Sequence, residues 1–297
     1  MFKSQIRTLR VGVFNLFLGL CLGIAACVRA QQPATVSTPP VTYQHIVRHD
    51  PNYSLHVMRI NLKDPRVSIR VSRGGPDPDG DGPWLTTLLP TSEVAERDKY
   101  DVAINGDFFD AQSTKDIEGK NTGYVRGKPA APVGMAMTDG VLWHRSENAR
   151  PYLEITTAKI AKLTETDPAD PIDTNALEIV GGGQIIVRNG RAIPFSGSFA
   201  TNRHPRTVVG IDATGTQLTF LVVDGRQPQL SVGMTLAELS NEMIRLGCTA
   251  AINLDGGGST TLVYRDPETK KLAIMNSPSD TKERSVADVL GVTINAK

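Results

Sequence analysis

A stretch near the carboxyl end of the chain, AINLDGGGSTT (251–261), places an acid beside three glycines. Glycine in or beside a strand costs backbone entropy and provides no side chain to pack, so the pattern favours a close approach of another group to the backbone. Consecutive glycines can also direct several N–H groups towards one anion. We therefore predict that Asp255 faces a substrate and that the loop after it holds a phosphate or a sugar hydroxyl. The predicted loop contacts are Gly256, Gly257, Gly258, Ser259 and Thr260.

A second acid stands in a similar context earlier in the chain. AINGD (103–107) and AINLD (251–255) share four of five residues, and each is predicted to end a helix-then-strand unit. Residues two apart in a strand point to the same face. Two such units side by side, as an internal pseudo-repeat, would direct Asn105, Asp107, Asn253 and Asp255 into one cleft. There we predict that Asn105 and Asn253 bind the substrate by positioning its hydroxyl groups. The alternative is a coincidence over five residues.

The candidate residues include carboxyl groups of the kind used in glycoside hydrolysis and guanidinium groups of the kind that bind phosphate. Glycoside hydrolysis usually uses two carboxyl groups roughly 5 to 10 Å apart, so Asp255 is the leading carboxylate and Asp107 its candidate partner. His204 is a candidate general acid or orienting group. Arg206 and Arg284 carry guanidinium groups that can bind phosphate through two hydrogen bonds, although each could equally be a surface ion-pair partner.

Several longer segments occur in an order typical of one family. They are AINGDFFD (103–110), HPRTVVGID (204–212), VVDGRQP (222–228), SVGMTLAELSNEMIRLGCTAAINLDGGGSTT (231–261) and NSP (276–278), followed by Arg284. Over most of residues 42–296 the chain resembles the phosphodiester glycosidase family. The resemblance implies hydrolysis of a sugar-1-phosphodiester, which releases the sugar and leaves a phosphomonoester.

The resemblance also bears on two further positions. The run Gly181–Gly183 matches the family's glycine-rich segment, which implies that Gly182 lines the sugar pocket. At Asp107 many relatives carry glycine or another small residue, which counts against Asp107 as an indispensable acid.

The elements that must position these residues are mainly strands. Alternating apolar residues predict strands at 45–48, 54–62 and 67–72, and glycine turns separate further strands later in the chain. We expect an α+β fold with a large mixed, mostly antiparallel sheet and two or three packed helices.

Two helices are predicted from their terminal residues. The clearer one runs from Thr235 to Leu246, because Thr235 and Glu238 form a capping-box pattern and Gly247 stops the helix. A shorter helix up to Lys99 is predicted to be capped by Thr91 or Ser92.

The amino-terminal segment predicts export. Basic residues precede an apolar run, Val11 to Ala26, which is short for a spanning helix and typical of a signal peptide. Cleavage after Val28-Arg29-Ala30 and lipidation at Cys27 are both compatible with the pattern. We predict a signal peptide at 1–30, a flexible linker at 31–41 and one phosphodiester glycosidase domain at 42–297. The protein is then periplasmic, secreted or lipid-anchored at the cell envelope.

Charge and cysteine content exclude some classes of function. Removal of residues 1–30 takes away four basic residues and no acid, so the formal charge changes from +1 to −3. A net charge of −3 is not typical of a nucleic-acid-binding protein, which usually has a clustered basic surface. Of the three cysteines only Cys248 remains, and its context predicts a small buried apolar residue. The predicted partner is a sugar-phosphate or phosphoglycan substrate, with membrane contact only through a lipid on Cys27.

No metal or other cofactor is predicted. DPDGDG (77–82) begins like a calcium-binding loop, but Leu88 stands where a bidentate glutamate is required. Two rival functions stay open at this stage. One is a non-catalytic envelope protein that binds phosphorylated glycans during exopolysaccharide assembly. The other is a metal-dependent phosphodiesterase in which Asp255 and Asp107 provide metal ligands and the P–O bond is cleaved.

Overall fold

The computed structural model describes residues 39–115, 118 and 123–295. The predicted signal peptide, the lipidation candidate Cys27 and most of the predicted linker lie outside the described residues. The first strand begins at Val41, and residues from Pro39 onward form one compact unit. In the described part of the chain, none of the helices has the length and apolar character needed to span a bilayer.

Strands dominate the described residues. In chain order they are β1 Val41–Arg48, β2 Tyr53–Asn61, β3 Val67–Arg73, β4 Thr86–Thr87, β5 Leu89–Pro90, β6 Val102–Asn105, β7 Phe109–Ala111, β8 Pro129–Pro132, β9 Ala136–Thr138, β10 Val141–His144, β11 Arg150–Thr156, β12 Ala161–Thr166, β13 Ala176–Gly181, β14 Gln184–Arg188, β15 Arg191–Ala192, β16 Arg206–Ile211, β17 Gln217–Val223, β18 Ala250–Asn253, β19 Leu262–Arg265, β20 Leu272–Ile274, β21 Ser285–Val286 and β22 Asp288–Ile294. The helices are α1 Thr91–Arg97, α2 Ser198–Thr201 and α3 Leu236–Arg245, and a 3₁₀ turn covers Gly257–Ser259.

The strands pair into several sheets. The largest has the order β1-β2-β17-β16-β18-β14-β15. Two five-stranded sheets have the orders β20-β19-β6-β22-β3 and β10-β9-β13-β11-β12, and two smaller sheets are β4-β8-β7 and β21-β5. The mostly antiparallel, sheet-rich fold with three helices is therefore confirmed. It differs from one large mixed sheet in that the strands divide among five sheets, and every pairing among the described residues is antiparallel.

The alternation of apolar residues along the strands of the seven-stranded sheet builds one core on each of its faces. On one face of the seven-stranded sheet, Phe220 and Ile252 pack in the same core as Ile104 and Leu290 of the sheet that contains β6. Because neighbouring residues of a strand point to opposite faces, the other face of the seven-stranded sheet has its own apolar residues. These pack with α3 in a second core that also contains the buried Cys248.

The two predicted helices differ in how they begin. At α3 the Thr235 hydroxyl accepts the Glu238 N–H while the Glu238 carboxylate accepts the Thr235 N–H, which confirms the capping box. Gly247 follows with a φ of +89°, as a glycine stop requires. The predicted cap of α1 is wrong: neither Thr91 nor Ser92 caps it, because the helix begins directly after Pro90 and the Ser92 hydroxyl donates to Glu283 instead.

The ends of strands from two sheets meet at one edge of the molecule. Strand β6 ends at Asn105 and β18 ends at Asn253, although they belong to different sheets. The Asp255 N–H donates to the carbonyl of Gly106 at 3.1 Å, so the two AIN-x-D segments end side by side. Strands β16 and β22 begin beside these ends, because each pairs antiparallel with β18 or β6.

Candidate active site

A small cleft opens where these strand ends meet. Its volume is about 230 Å³, which is below the range of about 300–1,000 Å³ typical of drug-sized ligands and suits a ligand of one small ring. The residues that line it are Phe108, Phe199, His204, Arg206, Arg226, Asp255, Gly256, Gly257, Gly258 and Arg284. The cleft thus brings together the leading carboxylate, the three glycines, His204 and both predicted arginines.

Asp255 is the carboxylate of the cleft. Its side chain is half-buried, and its Oδ1 accepts the Gly256 N–H at 2.8 Å. Burial raises the pKa of Asp255 to about 6, although the side-chain hydroxyl of Ser259, the Gly256 N–H and the positive charge of Arg284 act in the opposite direction. At neutral pH the group is therefore ionised, yet it accepts a proton more readily than an ordinary aspartate.

Guanidinium groups give the cleft an excess of positive charge. Arg226 is exposed, has a φ of +60° and has no carboxylate partner among the described residues. Arg284 pairs with Asp280 at 2.6 Å. With Arg206, three guanidinium groups line the cleft, and the carboxylates of Asp255 and of the ion-paired Asp280 compensate two of these charges. One positive charge remains in excess, which suits an anionic ligand. Our sequence predictions did not include Arg226, although VVDGRQP presents it directly after a buried strand.

Arg206 lies at the cleft, but its guanidinium is directed into the protein. The residue is only 1% exposed. Its Nε donates to the carbonyl of Met234 at 3.0 Å, and its Nη2 donates to the carbonyls of Phe199 at 2.7 Å and Asn202 at 3.3 Å. Burial lowers its pKa to about 10, and the charge of Arg226 acts in the same direction. These bonds hold the backbone around α2, and phosphate binding by Arg206 stays a prediction.

His204 lies beside the aromatic wall of the cleft. Its ring stacks on Phe199 with centroids 6.3 Å apart. Burial lowers the pKa of His204, and the positive charges of Arg206 and Arg226 lower it further. The imidazole is therefore mainly neutral at neutral pH, a state in which it can accept one hydrogen bond and donate another. Its predicted catalytic role stays a prediction.

The glycine loop does not form the predicted anion nest. The Gly257 N–H donates to the carbonyl of Pro205 at 2.9 Å, while the Ser259 and Thr260 N–H groups close the 3₁₀ turn at 3.2 and 3.3 Å. The Gly256 N–H is taken by Asp255. Four of the five N–H groups are thus satisfied within the protein and do not face a ligand. The hydroxyl group of Thr260 is buried without a hydrogen-bond partner among the described residues.

The glycines instead leave room for arginine side chains. A Cβ on Gly258 would lie 2.1 Å from Nη2 of Arg284, and one on Gly257 would lie 2.9 Å from Nη2 of Arg226. Gly257 also has a φ of +61°, in the left-handed region that favours glycine. Oδ2 of Asp280, the ion-pair partner of Arg284, would also lie 2.1 Å from the Cβ on Gly258. The expected close approach to the backbone is therefore made by the protein's own charged side chains, Arg226 and the pair of Arg284 with Asp280.

A pair of buried carboxyl groups lies behind the cleft. Asp107 and Asp288 are 1% and 0% exposed, and neither lines the cleft. The Asp107 N–H donates to Oδ1 of Asp288 at 2.8 Å, and Oδ2 of Asp107 accepts the Gly134 N–H. Oδ1 of Asp107 and Oδ2 of Asp288 have no partner among the described residues. The catalytic role of Asp107 stays a prediction. Asp107 lies in the interior behind Asp255 and is not on the surface of the cleft.

Burial governs the protonation of this pair. It raises the pKa of Asp107 to about 7, opposed by the Gly134 N–H and the charge of Arg150 and reinforced by the charge of Asp255. Burial also raises the pKa of Asp288 well above its ordinary value, and the Asp107 charge acts in the same direction. Ionisation of both carboxyl groups in a buried pair has a high free-energy cost, so the pair retains a proton at neutral pH. Our sequence predictions missed Asp288, whose only signal is an acid at the start of the apolar run DVLGV.

Asn105 and Asn253 are both fully buried. The Nδ2 of Asn105 donates to the carbonyl of Asp255 at 2.8 Å, and its Oδ1 accepts the Thr207 hydroxyl at 2.7 Å and the Thr261 N–H at 3.1 Å. The predicted contact of Asn105 with substrate hydroxyls is therefore wrong, because both of its polar atoms bind protein. Asn253 donates to Gln184 at 3.4 Å, and its predicted role in binding substrate stays a prediction.

The glycines of the second run, Gly181–Gly183, leave room for neighbouring side chains and do not line the cleft. Gly182 is not among the residues that line the cleft, and a Cβ there would lie 2.6 Å from Cδ1 of Ile252. Gly183 leaves room for Phe108, which does line the cleft. A Cβ on Gly181 would lie 2.5 Å from Oδ2 of Asp107. The run therefore packs the wall of the cleft and the buried carboxyl pair.

The described residues contain no group of three or more histidine, cysteine, aspartate or glutamate side chains placed to hold a metal ion. In the aspartate-rich loop, Oδ1 of Asp77 accepts the N–H groups of Asp79 and Gly80 at 3.2 and 2.9 Å. These bonds shape an exposed turn.

Comparison with known proteins identifies the family. Residues 98–293, more than half of the chain, match the phosphodiester glycosidase family. The chain belongs to the phosphodiester glycosidase family. The match includes every residue of the cleft and the buried carboxyl pair, whereas β1 to α1 precede it.

Two curated relatives share part of their length with this chain. One is the SPbeta prophage-derived uncharacterized protein YomE of Bacillus subtilis (strain 168), 27% identical over 173 residues. The other is the N-acetylglucosamine-1-phosphodiester alpha-N-acetylglucosaminidase of Mus musculus, 29% identical over 162 residues. The alignments cover 54% and 48% of this chain but only 25% and 31% of the relatives.

Solved structures share the fold. The zebrafish N-acetylglucosamine-1-phosphodiester alpha-N-acetylglucosaminidase catalytic domain, auto-inhibited by its pro-peptide, superposes with a TM-score of 0.61 at 21% identity, covering 88% of this chain and 85% of that domain. A putative exported protein of Burkholderia pseudomallei K96243 superposes with a TM-score of 0.56 at 17% identity, covering 82% of this chain and 74% of the other.

Proposed function

We propose that this phosphodiester glycosidase hydrolyses the glycosidic bond of a sugar-1-phosphodiester, releasing the sugar and leaving a phosphomonoester. The observation that carries the proposal is the cleft itself, in which the carboxylate of Asp255 lies with the exposed guanidinium of Arg226 and with that of Arg284. An anionic ester and a proton acceptor can thus occupy one small space. Family membership supports the same class of reaction.

The proposed reaction uses Asp255 as the proton acceptor. Its pKa of about 6 leaves it ionised at neutral pH and still basic enough to take a proton from water. The water oxygen forms a bond to the anomeric carbon, while the bond from that carbon to the phosphate oxygen breaks. The bonding electrons leave with the phosphate, and the water proton passes to Asp255.

The arginines favour departure of the phosphate. Arg226 and Arg284 project over the glycine loop and can compensate the charge that develops on the leaving oxygen. A phosphate is a weaker base than an alkoxide, so its departure does not require a strong general acid. This accounts for a cleft with only one carboxylate on its surface.

The test of the reaction is a substrate panel. Purified protein is incubated with methyl phosphodiesters of N-acetylglucosamine, glucose and galactose in both anomeric forms, in water enriched in heavy oxygen. Mass spectrometry is expected to find the label in the released sugar, because water attacks carbon. Label in the phosphate would identify a phosphodiesterase that cleaves the P–O bond. Tight binding without turnover would identify a glycan-binding protein.

The substitution that tests the role of Asp255 is Asp255→Asn, which keeps the side-chain shape and removes the charge. We expect turnover to fall by at least ~10²-fold, the lower range for loss of a positioned acid–base group. The exposed Asp266, which accepts the N–H groups of Glu268 and Thr269, provides the control substitution Asp266→Asn. Full activity in a folded Asp255→Asn protein would contradict the proposed role of Asp255.

Export is part of the proposal. It is supported by the basic residues before the apolar run 11–26 and by the Pro, Thr and Ser content of 31–40. Mass spectrometry of the mature protein expressed with its natural amino terminus is expected to find either a start at Gln31 or a lipid-modified Cys27. An unprocessed chain that begins at Met1 or Phe2 would contradict export by this route.

A further inference from the structure

The turn that presents Arg226 to the cleft is hydrogen-bonded to the protein on both sides. Before Arg226, the buried Asp224 accepts the Ser277 N–H with its Oδ1 at 2.7 Å, and its carbonyl accepts the Ser231 hydroxyl at 2.6 Å. After Arg226, Gln227 donates from Nε2 to the Ser277 carbonyl at 2.8 Å and accepts the Ser277 hydroxyl at 2.8 Å. Arg226 is thus an exposed residue between two neighbours that are held in place.

The backbone of this turn has little room to move. A Cβ on Gly225 would lie 2.6 Å from the backbone nitrogen of Pro205 and 2.9 Å from Cα of Gly233, so the chain packs against two other segments there. Arg226 has a φ of +60°, in the left-handed region that costs free energy for a residue other than glycine. Contacts on either side must therefore hold Arg226 in the conformation that places its guanidinium over Gly257.

A buried histidine holds the carboxylate of Asp224 from the other side. His56, in β2, is 3% exposed, and its Nε2 lies 3.1 Å from Oδ2 of Asp224. Its Nδ1 lies 2.9 Å from the hydroxyl of Tyr43. Because a carboxylate can only accept, Nε2 donates to Asp224, and Nδ1 of the neutral imidazole then accepts the Tyr43 O–H. These two partners fix the tautomer and the orientation of the ring.

The hydrogen bond between His56 and Asp224 has a consequence for the cleft. Without the imidazole donor, Asp224 would be a buried carboxylate that keeps only the Ser277 N–H of these two donors, which is an unfavourable state. A rearrangement of Asp224 would move the backbone two residues before Arg226. Residue 98 is the first of the family match, so this contact connects a strand outside the match to a cation of the cleft.

We propose that His56 is a positioning residue for Arg226: through Asp224 it holds the turn 224–227 so that the guanidinium lies over Gly257. The inference rests on the part of the proposed function in which Arg226 binds the phosphate of the substrate. His56 is not among the residues that line the cleft, so it acts only through Asp224. Loss of its donor should therefore weaken the interaction with phosphate and should have no effect once the Arg226 guanidinium is absent.

The test is a double-mutant cycle between His56 and Arg226, with the methyl phosphodiester that the substrate panel identifies. His56→Phe keeps a ring and removes the donor. We expect it to lower kcat/KM roughly tenfold in the parent and by less than about twofold in Arg226→Ala, because no guanidinium is then left to be displaced. The affinity for inorganic phosphate, measured by calorimetry, should follow the same pattern. Equal factors in both backgrounds would overturn the inference, since His56 would then act independently of Arg226.

Two amide variants test His56 without the large loss of polarity. The Nε2 of glutamine extends about as far from the backbone as Nε2 of histidine, whereas the amide of asparagine ends near the position of Nδ1. His56→Gln should therefore keep the donor to Asp224 and a kcat/KM close to that of the parent, and His56→Asn should show the loss. Equal kcat/KM values for these two variants would contradict the need for a donor at Asp224, whether or not His56→Phe folds.

Val57 provides a matched control for a loss of stability. It follows His56 in β2, is 1% exposed and packs in the core on the opposite face of the sheet. Val57→Ala should lower the melting temperature, because it leaves a cavity, and should leave kcat/KM and the affinity for phosphate unchanged. If Val57→Ala lowered both quantities as much as His56→Phe, the loss would be a general effect of weakening β2, and the inference would be overturned.

The phosphate measurement separates this inference from the proposed function. If the ester is hydrolysed and a folded His56→Phe protein keeps the parent kcat/KM and phosphate affinity, the inference fails and the proposed function stands. If no ester is hydrolysed while phosphate affinity follows the cycle, the proposed function fails, and His56 positions Arg226 within an anion site. A folded parent protein that neither hydrolyses an ester nor binds phosphate would overturn both.

Discussion

The side-chain amide of Asn105 donates a hydrogen bond to the backbone carbonyl of Asp255 at 2.8 Å. This bond joins the end of β6 to the loop after β18, so it connects two different sheets. The same side chain accepts from Thr207 and Thr261, both of which are fully buried. The backbone of Asp255 is therefore held by an amide whose polar atoms are all used within the protein.

Asn105→Ala is expected to damage both stability and turnover. The substitution leaves the carbonyl of Asp255 and the N–H of Thr261 without their partner in a buried place, so the free energy of unfolding should fall by about 2–3 kcal/mol. Thermal melting and kcat are measured on the same preparation. Asn175→Ala removes an exposed amide and should change neither quantity. A stable Asn105→Ala protein with parent activity would show that this bridge does not position Asp255.

Arg226 and Arg206 should respond differently to substitution. Arg226 is exposed without an ion pair among the described residues, so Arg226→Ala should lower kcat/KM for a phosphodiester roughly 10- to 100-fold, the range for a hydrogen bond to a charged group. Its melting temperature should stay close to that of the parent. Arg206→Ala should instead lower the melting temperature, because it removes the donors to Met234 and Phe199.

The measurement is a melting curve and a kcat/KM value for each of these two variants. Inorganic phosphate is expected to inhibit the parent and to inhibit Arg226→Ala less. If Arg206→Ala melted like the parent and lost only phosphodiester turnover, Arg206 would be the phosphate-binding group and the inward direction of its donors would be unimportant.

Alanine substitutions at Gly257 and Gly80 distinguish the effect of backbone strain from the effect of a side chain that obstructs the cleft. They have φ values of +61° and +66°, so alanine at either position should cost about 1 kcal/mol of stability. A Cβ on Gly257 would displace Arg226, whereas nothing lies within 4 Å of a Cβ on Gly80. We expect similar melting temperatures for Gly257→Ala and Gly80→Ala and a loss of activity only in the first. Equal activities would mean that the position of Arg226 over the loop has no catalytic importance.

The buried carboxyl pair should make stability depend on pH. Burial raises the pKa of Asp107 from an ordinary value of about 4 in the unfolded chain to about 7. The folded state therefore binds more protons over this interval, and the stabilising contribution is complete below about pH 4 and is lost as the pH rises through about 7. Burial also raises the pKa of Asp288 well above its ordinary value, so Asp288 contributes to stability in the same direction. Asp255 and Arg150 are the other charged groups that act on Asp107.

Asp288→Asn tests this dependence. An asparagine Oδ1 can still accept the Asp107 N–H, while the neutral amide removes the like charge, so Asp107 can ionise at lower pH. The difference in melting temperature between variant and parent should grow in favour of the variant from pH 5 to pH 8. Glu178, whose pKa burial also raises to about 7, is unchanged in both proteins and cancels in the difference. Parallel melting profiles would contradict the coupling of Asp107 to Asp288.

Short-range patterns in the sequence were sufficient for several features. The capping box of α3 depends on Thr235 and Glu238, which are three residues apart, and strands β2 and β3 are visible from the alternation of apolar residues. The acid and the glycines of the 255–258 loop are adjacent in the chain, so their common position in the cleft follows from their covalent connection. The family could also be identified from such segments, because each is a contiguous stretch.

Only the tertiary structure decided what each of these groups contacts. Asp288 is 181 residues from Asp107, and the hydrogen bond between them forms because β22 and β6 pair in one sheet. Arg206 is directed inward because carbonyls of Phe199 and Met234 converge on its guanidinium. Sequence reasoning assigned the open space over the glycines to a ligand. In the structure, arginine side chains fill part of that space. Which groups contact each other depends on their distance in the folded chain, and residue type alone does not determine that distance.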